Sequence, residues 1–112
     1  MSTPAKDTAI VQITIFTPHE GQLDAFVNRQ LEGLPKFGDI PGSLGSKLYR
    51  SLDSRTVVMI SRFETADHQA RFSATDAFAA HRATILPLLE TVSGGQYELI
   101  YERAPSAATE PA

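Results

Sequence analysis

The most strongly strand-like stretch of the chain runs from Thr56 to Phe63, which is rich in β-branched and apolar residues and contains no Gly or Pro. The stretch that precedes it, Ser43 to Ser51, is predicted to be its partner strand. The residues between them, Leu52 to Arg55, include an Asp-Ser pair whose side chains can hydrogen-bond the nearby backbone and close a turn. The pattern therefore predicts a β-hairpin, around which the other elements can be placed.

Two further strands are predicted near the ends of the chain, from about Ala9 to Thr17 and from Gln96 to Arg103. Successive side chains of a strand point to opposite faces of its sheet. One face of the first strand is apolar and carries Val11, Ile13 and Ile15. Its other face is mixed and carries Ile10, Gln12, Thr14 and Phe16. In the last strand Tyr97, Leu99 and Tyr101 alternate with Glu98, Ile100 and Glu102.

Apolar residues at steps of three and four predict one helix after the first strand and another after the hairpin. Pro35 marks the end of the first helix or a kink in it. Thr65 is a predicted N-cap for a short helical segment, and Ser73 or Thr75 for a longer helix that Pro87 should bend. The apolar stripe of the first helix is Leu23, Phe26, Val27, Leu31 and Leu34, and that of the longer helix is Phe78, His81, Ile85, Leu88, Leu89 and Val92.

The resulting order, β-α-β-β-α-β, is that of the ferredoxin-like fold, an α+β architecture with two helices on one face of a four-stranded antiparallel sheet. We expect one domain over residues 9–103, with flexible tails at residues 1–8 and 104–112. The second face of the sheet is left uncovered, and we expect it to carry Ile10, Phe16, Val58, Ile60 and Ile100. So much exposed apolar surface predicts a homodimer in which two sheets pack face to face.

Composition excludes several classes of protein. The net charge of −3 argues against a nucleic-acid-binding protein, and the absence of cysteine excludes disulfides and thiolate chemistry. No apolar run approaches the roughly 18 residues of a membrane-spanning helix, and Met1 to Thr8 lack a signal-peptide pattern. We therefore expect a cytoplasmic protein without a membrane partner.

His81 is the candidate functional residue that follows from the pattern itself. It stands three residues after Phe78 and four before Ile85, so it points with the apolar stripe of its helix. It could be a core histidine hydrogen-bonded to its surroundings, a general base or substrate anchor, or a metal ligand. The three histidines, His19, His68 and His81, have no metal-ligand spacing, so no metal site is expected.

Three segments carry a resemblance to a known family: PGSLGSKLYRSLD, TVVMISRFETADHQ and FAAHRATILPLL. Together they resemble the antibiotic biosynthesis monooxygenase domain of the dimeric α/β-barrel superfamily, over about Ala9 to Arg103. The run from Val58 to His68 looks closest to the quinol monooxygenase branch, in which an aromatic residue stands at the position of Phe63 and a histidine at that of His68.

The resemblance implies oxygenation of a quinol, phenol or polyketide-like aromatic substrate without metal or flavin, because an electron-rich phenolate can reduce dioxygen directly. The protein must then supply an apolar pocket, a base and hydrogen-bond donors. We expect His81 to be the catalytic residue, and the substrate-binding residues to be Met59, Phe63, Phe37, Phe78, Arg82 and His68.

The alternative is a non-catalytic dimer of the same fold that binds a small apolar ligand or has a stress-related role. Met59 and Phe63 stand where polyketide-tailoring members of the family carry Asn and Trp, and the chain contains no Trp. Oxygen consumption distinguishes the enzyme from the ligand-binding protein.

Overall fold

The computed structural model describes residues 9–106. The tail expected at residues 1–8 and the last six residues of the tail expected at 104–112 lie outside this range. Residues 98–106 have no regular secondary structure, and Leu99, Ile100 and Tyr101 are largely exposed. Among the described residues, no helix has the length and hydropathy needed to span a bilayer.

The predicted ferredoxin-like fold is confirmed. The four strands, β1 (Ile10–Pro18), β2 (Ser43–Arg50), β3 (Val57–Phe63) and β4 (Leu89–Tyr97), form one antiparallel sheet in the order β2-β3-β1-β4. In the predicted hairpin turn, the Ser51 hydroxyl donates to the Asp53 carboxylate at 2.7 Å, and Arg55 N donates to that carboxylate at 3.1 Å. These local bonds explain why β2 and β3 pair directly.

In the described part of the chain, three α-helices accompany the sheet: α1 (Leu23–Gly33), α2 (Ala66–Ser73) and α3 (Asp76–Ile85). The Thr65 hydroxyl caps α2 by accepting from His68 N, and the Thr75 hydroxyl caps α3 by accepting from Phe78 N, both at 3.1 Å. The predicted cap at Thr65 is therefore confirmed, and of the two candidates for the longer helix the cap is Thr75. Pro35 lies in a 3₁₀ turn, Leu34–Phe37, that follows α1 directly.

The predicted end of the longer helix and start of the last strand were wrong. The helix ends at Ile85, and Pro87 lies in a 3₁₀ turn, Leu86–Leu88, instead of bending a continuing helix. The last strand begins at Leu89 and ends at Tyr97, so Gly94 and Gly95 lie inside it. Helical and strand spacing both fit the apolar residues Leu88, Leu89 and Val92, and pairing with β1 decides between them.

The core lies between α1 and the middle of the sheet. Phe26 and Val57 are fully buried, and the ring of Phe26 packs on that of Phe16 with centroids 4.8 Å apart. On α1 the predicted stripe was wrong at Leu31, which is 60% exposed, whereas its neighbour Gln30 is 1% exposed. Gln30 lies one helical turn after Phe26, and Leu31 is turned from Gln30 by about 100°.

The predicted faces of β1 were assigned the wrong way round. Ile10 pairs with Phe63 and Phe16 with Val57, and Phe16 lies in the core beneath α1. Ile100 lies beyond the end of β4 and is 86% exposed. The uncovered face instead carries the fully apolar row of β1 with residues of the neighbouring strands. Its large apolar members are Val11, Ile13, Ile15, Tyr49, Val58, Ile60 and Tyr97, and Lys47 and Arg62 lie on the same face.

Candidate functional site

A cavity of about 460 Å³ lies between the helices and the inner face of the sheet. This volume is within the range of about 300 to 1,000 Å³ that is typical of small-molecule sites. Its floor comes from alternate residues of the strands, and its walls come from the helices and the 3₁₀ turns. Polar residues of the floor include Gln12, Thr14, Ser46 and Ser61, and apolar ones include Phe16, Leu48, Met59 and Phe63.

One wall of the cavity is aromatic. The ring of Phe72 lies 5.0 Å from that of Phe37 and 5.2 Å from that of Phe78, both edge to face, and 6.1 Å from that of Phe63. The Phe37 ring also meets the His81 imidazole edge to face at 5.5 Å. The wall therefore consists of flat apolar rings with the polar ring of His81 beside them. Such a surface suits an aromatic ligand.

His81 makes its hydrogen bond to a buried amide on α1. Its Nε2 lies 2.5 Å from Oε1 of Gln30, and both residues line the cavity. An amide oxygen can only accept a hydrogen bond, so Nε2 carries the proton and donates it. In the neutral imidazole the basic nitrogen is therefore Nδ1, which has no hydrogen-bond partner among residues 9–106.

The imidazole of His81 lies against Gly33, near the end of α1. A Cβ built at Gly33 would stand 2.5 Å from both Nδ1 and Cε1 of the ring, so a larger residue there would displace the histidine. Desolvation lowers the pKa of His81 from its ordinary value, and the nearby positive charge of Arg29 lowers it further. Both effects keep the imidazole neutral, the state in which a histidine can accept a proton.

The charged residues in the cavity lining are all basic. Arg82 on α3 is a lining residue. Lys47 also borders the cavity, but it pairs with Ile60 and its side chain therefore points to the uncovered face of the sheet. Among the described residues the lining contains no Asp or Glu. The chain as a whole has a net charge of −3, so this composition differs in sign from the rest of the molecule. The cavity is therefore electrostatically suited to an electron-rich or anionic oxygen.

The structure brings most of the predicted site residues together. His81, Met59, Phe63, Phe37, Phe78 and Arg82 all line the central cavity. His68 lies apart from them, beside a smaller cavity of about 270 Å³ lined also by Asp39 and Pro41. Its Nδ1 is 2.8 Å from the Thr65 hydroxyl, and its ring lies against Gly42.

Gln30 and Phe72 are two of the cavity residues that the sequence pattern did not predict. Gln30 stands four residues after Phe26 and four before Leu34, so the missed signal was a polar residue within an apolar stripe. Phe72 lies in the short helix α2, in which no buried face was identified from the sequence. In the described part of the chain, no group of three or more His, Cys, Asp or Glu side chains could hold a metal ion.

Comparison with known proteins identifies the family. Residues 9–84 match the model of the family described as antibiotic biosynthesis monooxygenase. No curated protein matches the sequence.

Solved structures match over most of the chain. SnoaB from Streptomyces nogalater, described as a cofactor-independent oxygenase, is 25% identical with a TM-score of 0.70, over 92% of this chain and 99% of its own. A protein from Shewanella oneidensis is 22% identical with a TM-score of 0.73, over 82% and 91% of the two chains. A protein from Mycobacterium tuberculosis is 18% identical with a TM-score of 0.74, over 86% and 99%. Because the family model covers more than half of the sequence, the chain belongs to the antibiotic biosynthesis monooxygenase family.

Proposed function

We propose that this protein is a cofactor-independent monooxygenase that acts on an electron-rich phenol or quinol. The observation that carries the proposal is the pairing of an apolar, partly aromatic cavity with one neutral histidine held in place by a buried amide. The similarity to SnoaB, a cofactor-independent oxygenase, supports it. Walls from Met59, Phe37, Phe63 and Phe78 would hold the ring of the substrate.

The reaction needs only a base, an apolar site and donors for the developing charge. The phenol loses a proton, the phenolate passes one electron to dioxygen, and the two radicals combine in a new C–O bond. The resulting peroxide breaks its O–O bond, so that one oxygen atom stays in the quinone product and the other leaves as water. The overall change, quinol plus O₂ to hydroxyquinone plus water, is balanced without a further reductant.

In this scheme His81 is the base that accepts the substrate proton and later returns it to the leaving oxygen. The lowered pKa of His81 keeps it ready to accept a proton at neutral pH. Arg82 lies in the same lining and would stabilise the phenolate by charge. His68 would act at the neighbouring small cavity, where it could contact only a ligand that extends past the aromatic wall.

The test is oxygen uptake with a panel of quinols and phenols, measured with wild-type protein, with His81→Ala and with His19→Ala as the matched control. His19 is an exposed histidine outside the cavity lining. We expect uptake by the wild type and by His19→Ala, and a loss of about a hundredfold or more in His81→Ala. Thermal stabilisation by a ligand without any oxygen uptake would instead support the non-catalytic ligand-binding protein.

The proposed enzyme is a homodimer formed through the uncovered face of the sheet. Ile13 and Ile60 pair at the centre of that face, and Ile15 beside them is 42% exposed. An apolar sheet face of this kind on a small domain favours burial against a second copy. Light scattering after size exclusion should give a dimer for the wild type and a monomer for Ile13→Glu, and a monomeric wild type at micromolar concentration would contradict the proposal.

A further inference from the structure

Gln30 has two amide ends, and only one of them has a partner among the residues that the structure describes. Oε1 accepts from His81, while Nε2 has no hydrogen-bond partner among residues 9–106. In the same residues every buried side-chain nitrogen or oxygen has a partner, so Nε2 must keep some exposure although Gln30 as a whole is only 1% exposed. The central cavity is the space that Gln30 lines, and the amide nitrogen therefore opens onto it.

The direction of this amide is set by His81. Nε2 of the imidazole donates in the neutral form and also in the protonated form, because both nitrogens of a protonated histidine carry hydrogens. In either state Oε1 of Gln30 is the only amide end that can face it. The NH₂ group of Gln30 is thus kept towards the cavity, and an isolated donor in an apolar site favours a ligand oxygen that accepts.

We infer that Gln30 is the substrate-binding donor of the cavity, and that it selects aromatic ligands bearing a phenolate or carbonyl oxygen. Three observations agree on this chemistry: the free NH₂ group, the basic lining residue Arg82, and the absence of Asp and Glu from the described residues of the lining. His81 acts in this recognition as the positioning residue for Gln30. The inference rests on the proposed function only in taking the central cavity as the ligand site.

Binding without turnover tests the assignment. We would titrate protein with 4-nitrophenol and, as a matched neutral ligand, 4-nitrotoluene, both in the absence of oxygen. Arg82 also favours an anion, as does His81 when protonated. Arg29, Glu32 and Lys36 border His81 on its other side. The titrations are therefore run at a pH where His81 is neutral. The comparison between variants then isolates the contribution of Gln30 to ligand binding.

Gln30→Met removes the donor at similar size, and Gln22→Met makes the same change at an exposed position before α1. We expect Gln30→Met to weaken phenolate binding by roughly tenfold and to raise the pKa of the bound phenol by about one unit, with little change for 4-nitrotoluene. We expect Gln22→Met to match the wild type. Thermal melting confirms that each variant is folded.

Gln30→Glu is a second test of the amide donor, for use if Gln30→Met folds poorly. A carboxylate keeps an acceptor for His81 and places an acceptor, instead of a donor, at the cavity. We expect the preference to reverse, with the neutral phenol bound more tightly than the phenolate.

Three results would overturn the inference. Equal losses for both ligands in Gln30→Met would mean that the residue only shapes the cavity. An unchanged preference in Gln30→Glu would mean that the donor end does not face the ligand. Failure of the wild type to bind either ligand would overturn the cavity as a ligand site, and the proposed function with it. Selective phenolate binding without oxygen uptake would instead support the Gln30 assignment and contradict the proposed oxygenase activity.

Discussion

Two histidines of this protein lie against glycines, and the two contacts differ in kind. His81 lies against Gly33, whose backbone is helical with φ −87°, and its Nε2 donates to the buried Gln30. His68 lies against Gly42, whose φ of +78° is in the left-handed region. Its Nδ1 is hydrogen-bonded to Thr65, the N-cap of α2.

The difference distinguishes a candidate functional site at His81 from a structural contact at His68. At His81 the glycine leaves room for a ring beside a cavity, and the partner is a polar side chain with almost no exposure. At His68 the glycine is required by the turn itself, and the partner is a helix cap that is already engaged with the backbone. A histidine packed on a glycine is therefore not a functional signal until its hydrogen-bond partner is known.

The largest expected effect is on activity. With the quinol that the wild type oxidises fastest, His81→Ala should lower the rate by about a hundredfold or more, because the base is removed. His68→Ala should lower it far less, since His68 lies outside the central cavity lining. Steady-state oxygen uptake measures both variants, and equal losses would remove the distinction between the two histidines.

The next largest effect is on the free energy of unfolding. Removing the neighbouring histidine should rescue an alanine substitution at Gly33 but not one at Gly42. Gly42→Ala should cost about 2 to 4 kcal/mol, because it combines a strained left-handed backbone with a clash against His68. Gly33→Ala should cost about 1 kcal/mol, because the clash with His81 is partly offset by better helix propensity.

Urea unfolding of double variants sharpens this comparison. Removing the imidazole in Gly33→Ala/His81→Ala should eliminate the cost of the alanine, since the backbone there is ordinary. Gly42→Ala/His68→Ala should remain destabilised relative to His68→Ala alone, because the positive φ persists. Full rescue at Gly42 would show that its glycine serves only to make room.

A smaller effect is expected at the helix caps. Thr65→Ala and Thr75→Ala should each cost about 1 kcal/mol, because each removes the acceptor for a backbone N–H at the start of a helix. Only Thr65→Ala also removes the partner of the His68 ring, so only this variant should shift the NMR signals of that imidazole. Thr65→Ser, which keeps the hydroxyl, should restore both.

The smallest effect is a change in pH dependence. Activity requires neutral His81, so it should fall as pH drops through the pKa of His81, which lies below the ordinary value of 6.5. Arg29→Gln removes a positive charge that lowers this pKa, and the acid side of the profile should move to higher pH. Arg50→Gln, outside the cavity lining, serves as the control, and a shift equal to that of Arg29→Gln would contradict the local origin of the effect.

The sequence by itself predicted the fold and several residues that line the central cavity. Strand alternation, helix stripes and the Thr65 and Thr75 signals predicted the order of elements, because they depend on local geometry and on spacing along the chain. The position of His81 within an apolar stripe was sufficient to single it out, and it does line the cavity.

Only the tertiary structure decided which surfaces meet. The two faces of β1 were reversed because the inner face holds polar Gln12 and Thr14 at a cavity, while the more apolar row is left uncovered. The boundary between helix and β4 depended on pairing with β1, since both periods fit the same residues. Gln30 gained its role from a hydrogen bond to a residue 51 positions away, and no local pattern can encode a contact of that range.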